Sequence, residues 1–193
     1  MILAAITGSI GCGKTTLASL LRDMGFIVFD VDQWSRALYK EPVYLKKMAE
    51  VFPEVMEQGV VNKKKLRDLV FNNQEKLKLL EKVSHPFLRK RLKYEIHKNA
   101  KSSDLFFVDA ALLFEAGWDK YCQCVVLADV DYETQKIRVM KRDGISAEEF
   151  EKINAQQMSN KEKALLSDLI IDTDKPLNLL KVDMMCLIDD IVG

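Results

Sequence analysis

Neither sign of charge predominates in this 193-residue chain, because lysine plus arginine and aspartate plus glutamate each number 29. A net charge of zero offers no argument for nucleic acid or an anionic membrane as a partner, so any anion-binding site must be local. No apolar run approaches the roughly 18 residues that a membrane-spanning helix needs, and no basic segment precedes the apolar residues 1–6. We therefore expect neither a membrane anchor nor a signal peptide.

Cysteine and proline are scarce, with four of each. The cysteines show no C-x-x-C spacing, and a chain of this length does not need disulfides to be stable. A reducing, cytoplasmic setting is the simplest interpretation. Since the prolines are scattered and there are no repeats or Gly/Ser linkers, the sequence predicts one continuously folded domain over residues 1–193.

Five short apolar runs typical of buried strands alternate with helical patterns. The runs are Ile2–Ile6, Phe26–Phe29, Leu105–Val108, Val125–Ala128 and Leu169–Ile171. Strands that alternate with helices pair in parallel, because each crossover carries the chain back across the sheet. The predicted fold class is therefore α/β, with a five-stranded parallel sheet between layers of helices.

Several signals predict where helices begin. Residues 146–149 form a capping-box pattern, Asp131 is placed to cap a helix from Tyr132, and Pro86 favours a helix start. The stretch 33–104 is mostly helical in pattern and much longer than one crossover requires. It predicts a helical lobe between the second and third strands.

Residues 8–15, Gly-Ser-Ile-Gly-Cys-Gly-Lys-Thr, match the phosphate-binding pattern G-x-x-x-x-G-K-[ST] in full. They follow an apolar strand and precede a helical pattern, which is the context that the motif requires. The glycines let successive N–H groups point at one anion, and the helix N-terminus adds partial positive charge. We expect Lys14 to reach the β- and γ-phosphates of a nucleotide and the Thr15 hydroxyl to bind Mg²⁺.

A guanine-nucleotide switch is disfavoured. Such a protein needs the patterns D-x-x-G and N-K-x-D to sense the γ-phosphate and to recognise guanine. The nearest matches are Asp190–Gly193 and Asn160–Lys163, and the second ends in the wrong charge.

Carboxylates follow two of the predicted strands, at the strand ends where ligands bind in open α/β sheets. Asp30 and Asp32 come after the second strand, and alternation predicts that both point to the same side. We assign Asp32 to orienting an attacking hydroxyl and accepting its proton, with a helix cap or turn as the alternative. Asp109 ends the third strand, where it either reaches the metal through water or caps a helix.

Two groups of basic residues are candidates for phosphate contacts. Gln135, Arg138 and Arg142 share one predicted helix face, from which the arginines could close over phosphates and exclude water. Residues 85–101 carry a basic run that could face a phosphate-bearing substrate. In both cases solvated surface charges are the alternative.

In their order along nearly the whole chain, these motifs resemble the dephospho-coenzyme A kinase family. The matching segments are Thr7–Thr15, Asp30–Asp32, Leu66–Phe71, His85–Pro86, Leu112–Glu115, Gln135–Asp143 and either Gln156 or Gln157. The resemblance implies ATP-dependent phosphorylation of the ribose 3′-hydroxyl of dephospho-coenzyme A, with ATP and Mg²⁺ required. It also implies catalytic roles for Asp32, Lys14 and the lid residue Arg142, and ATP contacts at Gly11, Cys12, Gly13, Lys14, Thr15 and Thr16.

The same resemblance implies a nucleoside-kinase-like core with a substrate lobe at about 33–104 and a lid at about 138–160. Three departures from the family pattern, at Ala111, Pro53 and Asp172-Thr173, concern lobe geometry and base contacts. A kinase of the same architecture for a nucleoside or nucleoside monophosphate stays open, as does an ATP-binding regulatory module without chemistry. The oligomeric state also stays open.

Overall fold

The computed structural model describes residues 1–71, 73–101 and 103–193, apart from the side chain of Phe71. Positions 72 and 102 of the predicted lobe, and the Phe71 side chain of the motif Leu66–Phe71, lie outside the described residues.

Five of the strands form one parallel sheet. In chain order the strands are β1 (Ile2–Thr7), β2 (Ile27–Asp30), β3 (Met56–Glu57), β4 (Val60–Val61), β5 (Leu105–Asp109), β6 (Cys124–Asp129) and β7 (Leu169–Asp172). The sheet order is β2-β5-β1-β6-β7, and β3 and β4 form a separate antiparallel hairpin. The predicted α/β fold class is confirmed, and each of the five apolar runs is a strand of the sheet.

Helices lie between these strands and after β7. They are α1 (Lys14–Asp23), α2 (Val31–Leu38), α3 (Pro42–Val51), α4 (Lys63–Phe71), α5 (Gln74–Asn99), α6 (Tyr132–Asp143), α7 (Ala147–Asn154), α8 (Asn160–Ala164) and α9 (Leu177–Val192). The predicted caps are confirmed: the Asp131 carboxylate accepts the Thr134 N–H at 3.0 Å, and Ser146 forms both bonds of a capping box with Glu149. These bonds satisfy N–H groups that a helix leaves without internal partners.

Strand register brings the polar ends of the strands to one edge of the sheet. Asp30 of β2 lies beside Asp109 of β5, and Asp129 of β6 lies beside Asp172 of β7. Because the strands are parallel, their carboxyl ends all meet at this edge. The loop that follows the central strand β1 therefore begins among acidic strand ends.

Helices α1 and α9 pack on one face of the sheet. Leu17 and Leu21 of α1 and Met184 of α9 are completely buried in a cluster with Ile6 of β1. Each such side chain contributes about 1.5–3 kcal/mol by leaving water. This packing holds the start of α1 firmly against the sheet, directly after the glycine-rich loop.

The chain divides into two compact units, one of Met1–Asp30 with Ala100–Gly193 and one of Val31–Asn99. The second unit contains α2 to α5 and the hairpin, and α5 contacts α2, α3 and α4. The sequence did not predict the hairpin. Its turn has positive φ at both Gln58 (49°) and Gly59 (82°), a geometry typical of two-residue hairpin turns, and the lone Gly59 was the available signal.

Pro86 does not begin a helix, and that prediction is wrong. It lies inside α5, which runs without interruption from Gln74 to Asn99. Tyr44 contacts α5 on both sides of the proline, through a 2.8 Å hydrogen bond to Ser84 and an edge-to-face ring contact with Phe87. These tertiary contacts offset the backbone hydrogen bond that proline removes, and they have no counterpart in the local pattern.

Among the described residues, we find no helix that combines the length and the apolar character needed to cross a membrane.

Candidate active site

The loop of residues 8–13 depends on glycine where it closely approaches other parts of the chain, as at Gly11 and Gly13. Gly11 and Gly13 have φ of 82° and 88°, in the region that favours glycine. A Cβ atom on Gly11 would lie 2.4 Å from Val139 Cγ2 and 2.8 Å from the Gln135 carbonyl oxygen. On Gly13, a Cβ would lie 2.8 Å from the Thr173 side chain. The loop is therefore closely packed against α6 and the residues after β7.

We expect Gly11→Ala to lower the free energy of unfolding by about 2–4 kcal/mol, from left-handed strain and overpacking together. Gly144→Ala is the control, because Gly144 also has positive φ (66°) but a Cβ there meets nothing within 4 Å among the described residues. Urea denaturation of both variants measures the difference. Equal losses would contradict the close packing of the loop.

Side chains from α6 and the residues after β7 hold the loop from outside. The buried Gln135 amide donates to Ser9 Oγ at 2.9 Å, and the Thr173 hydroxyl donates to the Cys12 carbonyl at 2.7 Å. Arg138 donates to Thr173 Oγ1 at 3.2 Å and to Asp174 Oδ1 at 2.9 Å. The face of α6 that was predicted to bind phosphate therefore makes two kinds of contact. Gln135 contacts the loop, and Arg138 contacts the residues after β7.

Lys14 and Asp109 are brought together as an ion pair between the first residue of α1 and the last residue of β5. Only 14% of the Lys14 side chain and 6% of the Asp109 side chain are exposed. Partial removal from water strengthens the electrostatic interaction of this pair with any charge that enters. The two groups predicted to handle phosphate and metal therefore share one place at the carboxyl edge of the sheet.

The remaining loop residues differ in exposure. Thr15 and Thr16 are exposed in the first turn of α1, and the Thr16 N–H bonds to the Gly13 carbonyl at 2.9 Å. Cys12 is buried, and burial raises the pKa of its thiol. Because the thiol stays protonated at neutral pH, Cys12 adds no negative charge beneath the loop.

Asp32 lies in the first turn of α2, within the unit Val31–Asn99, and is half-buried. The alternation argument for Asp30 and Asp32 is wrong, because β2 ends at Asp30 and the chain is helical from Val31. A helical residue does not alternate sides as a strand residue does.

Arg142 is exposed near the end of α6. Its guanidinium donates two hydrogen bonds of 2.7 Å to the neighbouring Asp143 carboxylate, which holds the pKa of Arg142 above its ordinary value. Gly144 in a left-handed conformation ends the helix directly afterwards. The arginine therefore keeps its charge at every accessible pH and stands beside a turn.

Sequence reasoning assigned no site contact to Asn160 or Lys163, and it left Gln157 as one of two late glutamines. Gln157 Oε1 accepts the Ile10 N–H at 2.8 Å, and Asn160 Oδ1 accepts the Ser9 N–H at 3.0 Å. Their signal was spacing, because 157, 160 and 163 are three residues apart. Of the two late glutamines that the resemblance left open, Gln157 contacts the loop.

Lys163 is completely buried. Its ammonium donates to the Ala111 carbonyl at 2.5 Å and pairs with Glu115 at 3.2 Å. Burial lowers the pKa of Lys163, and the Glu115 carboxylate opposes that shift. The departure at Ala111 leaves this contact intact because the acceptor is a backbone carbonyl.

No cluster of three or more His, Cys, Asp or Glu side chains able to hold a metal ion occurs in the described part of the chain. Thr15 and Asp109 instead offer hydroxyl and carboxylate oxygens, the ligand type that Mg²⁺ prefers beside nucleotide phosphates.

A buried strand, a glycine-rich anion-binding loop and a helix in direct succession define the class of P-loop proteins, and residues 2–23 have this arrangement. Over residues 2–178 the sequence matches the family described as dephospho-CoA kinase. The chain belongs to that family, so the resemblance inferred from the motifs is confirmed. Membership makes the chain a kinase with ATP as its phosphate donor.

Individual relatives agree with this assignment. A dephospho-CoA kinase of Bartonella henselae is 35% identical over 193 residues, covering 100% of this chain and 99% of the relative. A crystal structure from Thermus thermophilus has a TM-score of 0.88 and 32% identity, covering 100% of this chain and 98% of that chain. The dephospho-CoA kinase of Campylobacter jejuni, with a TM-score of 0.60, 23% identity and coverage of 98% and 96%, shares the fold.

Proposed function

We propose that this protein transfers the γ-phosphoryl group of ATP to the ribose 3′-hydroxyl of dephospho-coenzyme A, giving coenzyme A and ADP. The single observation that carries phosphoryl transfer is the Lys14–Asp109 pair at the end of a complete phosphate-binding loop. Family membership supports dephospho-coenzyme A as the acceptor.

The loop is proposed to bind the phosphates of ATP. Residues Gly11, Cys12, Gly13, Thr15 and Thr16 surround them, and the Lys14 ammonium contacts the β- and γ-phosphates. On ATP binding, Lys14 exchanges part of its contact with Asp109 for phosphate oxygens. Its charge then stabilises the phosphoryl group during transfer.

Thr15 and Asp109 are the residues that would hold Mg²⁺, Thr15 through its hydroxyl and Asp109 through water. When bound, the ion offsets negative charge on the phosphates. Asp109 also keeps Lys14 oriented towards the loop, which places the cation before ATP arrives.

A cavity of about 290 Å³ beside the loop supports a site for the adenine base. Leu177 and Leu180 give it apolar surface, and Arg138 and Thr173 give it hydrogen-bonding groups. Flat heterocycles bind in pockets of this mixed kind. The departure at Asp172-Thr173 thus lies at the proposed base site, where Thr173 is already engaged with Cys12 and Arg138.

Asp32 is proposed to orient the ribose hydroxyl and accept its proton, and Arg142 to contact the transferring phosphoryl from a lid of about 138–160. The Arg142 guanidinium is exposed and paired with a single carboxylate, so phosphate oxygens can replace Asp143 as its acceptor. A closed lid excludes water, which would otherwise compete with the acceptor hydroxyl.

The unit Val31–Asn99 is proposed as the substrate lobe within one kinase domain of residues 1–193. It contains a cavity of about 510 Å³ lined by aromatic rings, by two cations, Lys90 and Arg91, and by one carboxylate, Glu41. The Arg91 guanidinium lies 5.9 Å from the ring centres of both Trp34 and Tyr94. Such a cavity offers stacking surface and positive charge, which suit a nucleotide with a diphosphate and a long pantetheine arm.

Lys90→Ala is expected to raise the KM for dephospho-coenzyme A about three- to tenfold, because it removes a charged donor from this cavity. The KM for ATP should not change. Lys93→Ala is the matched control: Lys93 is an exposed lysine on the same helix that does not line the cavity. Equal effects of the two substitutions would contradict the assignment of the cavity to the acceptor.

An acceptor screen tests the proposed function. ADP release is measured with dephospho-coenzyme A, nucleosides and nucleoside monophosphates, and the product is analysed by mass and by the position of its added phosphate. A phosphate on the ribose 3′-oxygen of dephospho-coenzyme A supports the proposal. Preference for another acceptor, or tight ATP binding with no turnover, contradicts it.

The proposed setting is the cytoplasm, which suits four cysteines with free thiols.

A further inference from the structure

Two side-chain amides accept hydrogen bonds from backbone N–H groups of the phosphate-binding loop. The Gln157 carbonyl oxygen accepts the Ile10 N–H at 2.8 Å. The Asn160 carbonyl oxygen accepts both the N–H and the hydroxyl of Ser9, at 3.0 and 2.7 Å. We call Gln157, Asn160 and Lys163 the clasp.

The orientation of Asn160 is determined by its partners. Its Nδ2 group donates to the Asp129 carboxylate at 2.7 Å and lies 3.4 Å from the Ala128 carbonyl oxygen. Because these two groups only accept hydrogen bonds, they require the nitrogen, and the oxygen must face the donors of Ser9. The amide therefore joins the carboxyl end of β6 to the front of the loop in one orientation.

Lys163 anchors the same segment at its other end. Its buried ammonium binds the Ala111 carbonyl, two residues beyond Asp109, and Glu115. The Glu115 carboxylate also accepts the Met158 N–H at 2.9 Å. The clasp is thus tied to the chain after β5 as well as to β6, so its amides, at the C-terminal end of the proposed lid, are held in place beside the loop.

We propose that Gln157 and Asn160 are positioning residues for ATP, because they hold the front of the loop in its phosphate-binding conformation before the nucleotide arrives. This rests on the proposed function of the loop. The N–H groups of Ser9 and Ile10 donate hydrogen bonds to the clasp. Phosphate binding is therefore left to the later residues 11–16. A loop ordered in advance loses less conformational freedom when ATP binds, and its affinity is correspondingly higher.

The test replaces Gln157 by methionine, which keeps the length of the side chain but removes the acceptor oxygen. The dissociation constant for ATP and the KM for ATP should both rise about three- to tenfold, the range of one lost hydrogen bond. The turnover number, the KM for the acceptor and the melting temperature should stay near parental values. Gln156→Met is the matched control, because Gln156 is the exposed neighbouring glutamine.

Hydrogen exchange of the Ile10 amide in the nucleotide-free protein is the second readout. Exchange should be faster in Gln157→Met by a similar factor and should return to the parental rate in Gln157→Glu, which restores an acceptor oxygen. Parental ATP affinity in Gln157→Met, or a loss of affinity without faster Ile10 exchange, would overturn the proposal. Neither ATP binding nor hydrogen exchange involves the phosphoryl acceptor. If dephospho-coenzyme A were the wrong substrate, only the acceptor screen would show it.

Discussion

Asp32→Asn is expected to lower the turnover number about 10²–10⁴-fold while ATP still binds, the range typical of losing a general base. The amide has the size of the carboxylate but cannot take the proton of the ribose hydroxyl. The proposed phosphate contacts come from residues 11–16, which this substitution does not change. ADP release with dephospho-coenzyme A measures turnover, and calorimetry measures ATP affinity.

Asp68→Asn is the control for this substitution, because Asp68 is an exposed carboxylate of α4 in the same unit, Val31–Asn99. It removes the same charge and should leave turnover at the parental value. Full activity of Asp32→Asn would contradict the role assigned to Asp32. A loss of ATP binding in that variant would mean that the carboxylate acts on the nucleotide rather than on the acceptor.

Lys14→Ala should weaken ATP binding and lower the turnover number about 10²–10³-fold, as removal of one preorganised cationic donor does in other enzymes. The substitution also leaves the nearly buried Asp109 carboxylate without its ammonium partner. That negative charge then faces the phosphates of ATP and repels them. Nucleotide titration and steady-state kinetics measure the two effects.

Lys181→Ala serves as its control, since Lys181 is an exposed lysine of α9. Loss of one positive charge there should change neither ATP affinity nor turnover. If Lys14→Ala bound ATP as tightly as the parent, the phosphate-binding role of the loop would be wrong. If the control lost as much affinity as Lys14→Ala, the effect would come from net charge rather than from the position of Lys14.

Most of the sheet and its central loop could be predicted from local patterns. Burial on both faces makes each strand a short apolar run, and the phosphate-binding pattern is a contiguous segment whose donors are backbone groups. Asp109 was recognised because it ends such a run. Its pairing with Lys14 was not predicted, since 95 residues separate the two along the chain.

Local patterns failed where a tertiary contact or an element boundary outweighed them. Pro86 signals a helix start, yet α5 continues through it beside Tyr44. Strand alternation for Asp32 required β2 to continue to residue 32, but β2 ends at Asp30 and α2 begins at Val31. In both cases the pattern was present, but the packing around it decided the outcome.

Class, fold and phosphate chemistry followed from residues adjacent in the chain, because hydrophobic period and loop composition act over a few positions. The clasp on Ser9 and Ile10 emerged only from the folded molecule, where residues about 150 positions away meet the loop. A side-chain amide can bond almost any polar group, so nothing in its neighbours specifies its partner. The partners of these amides are determined by the parallel sheet, which brings the ends of β1, β5 and β6 to one edge.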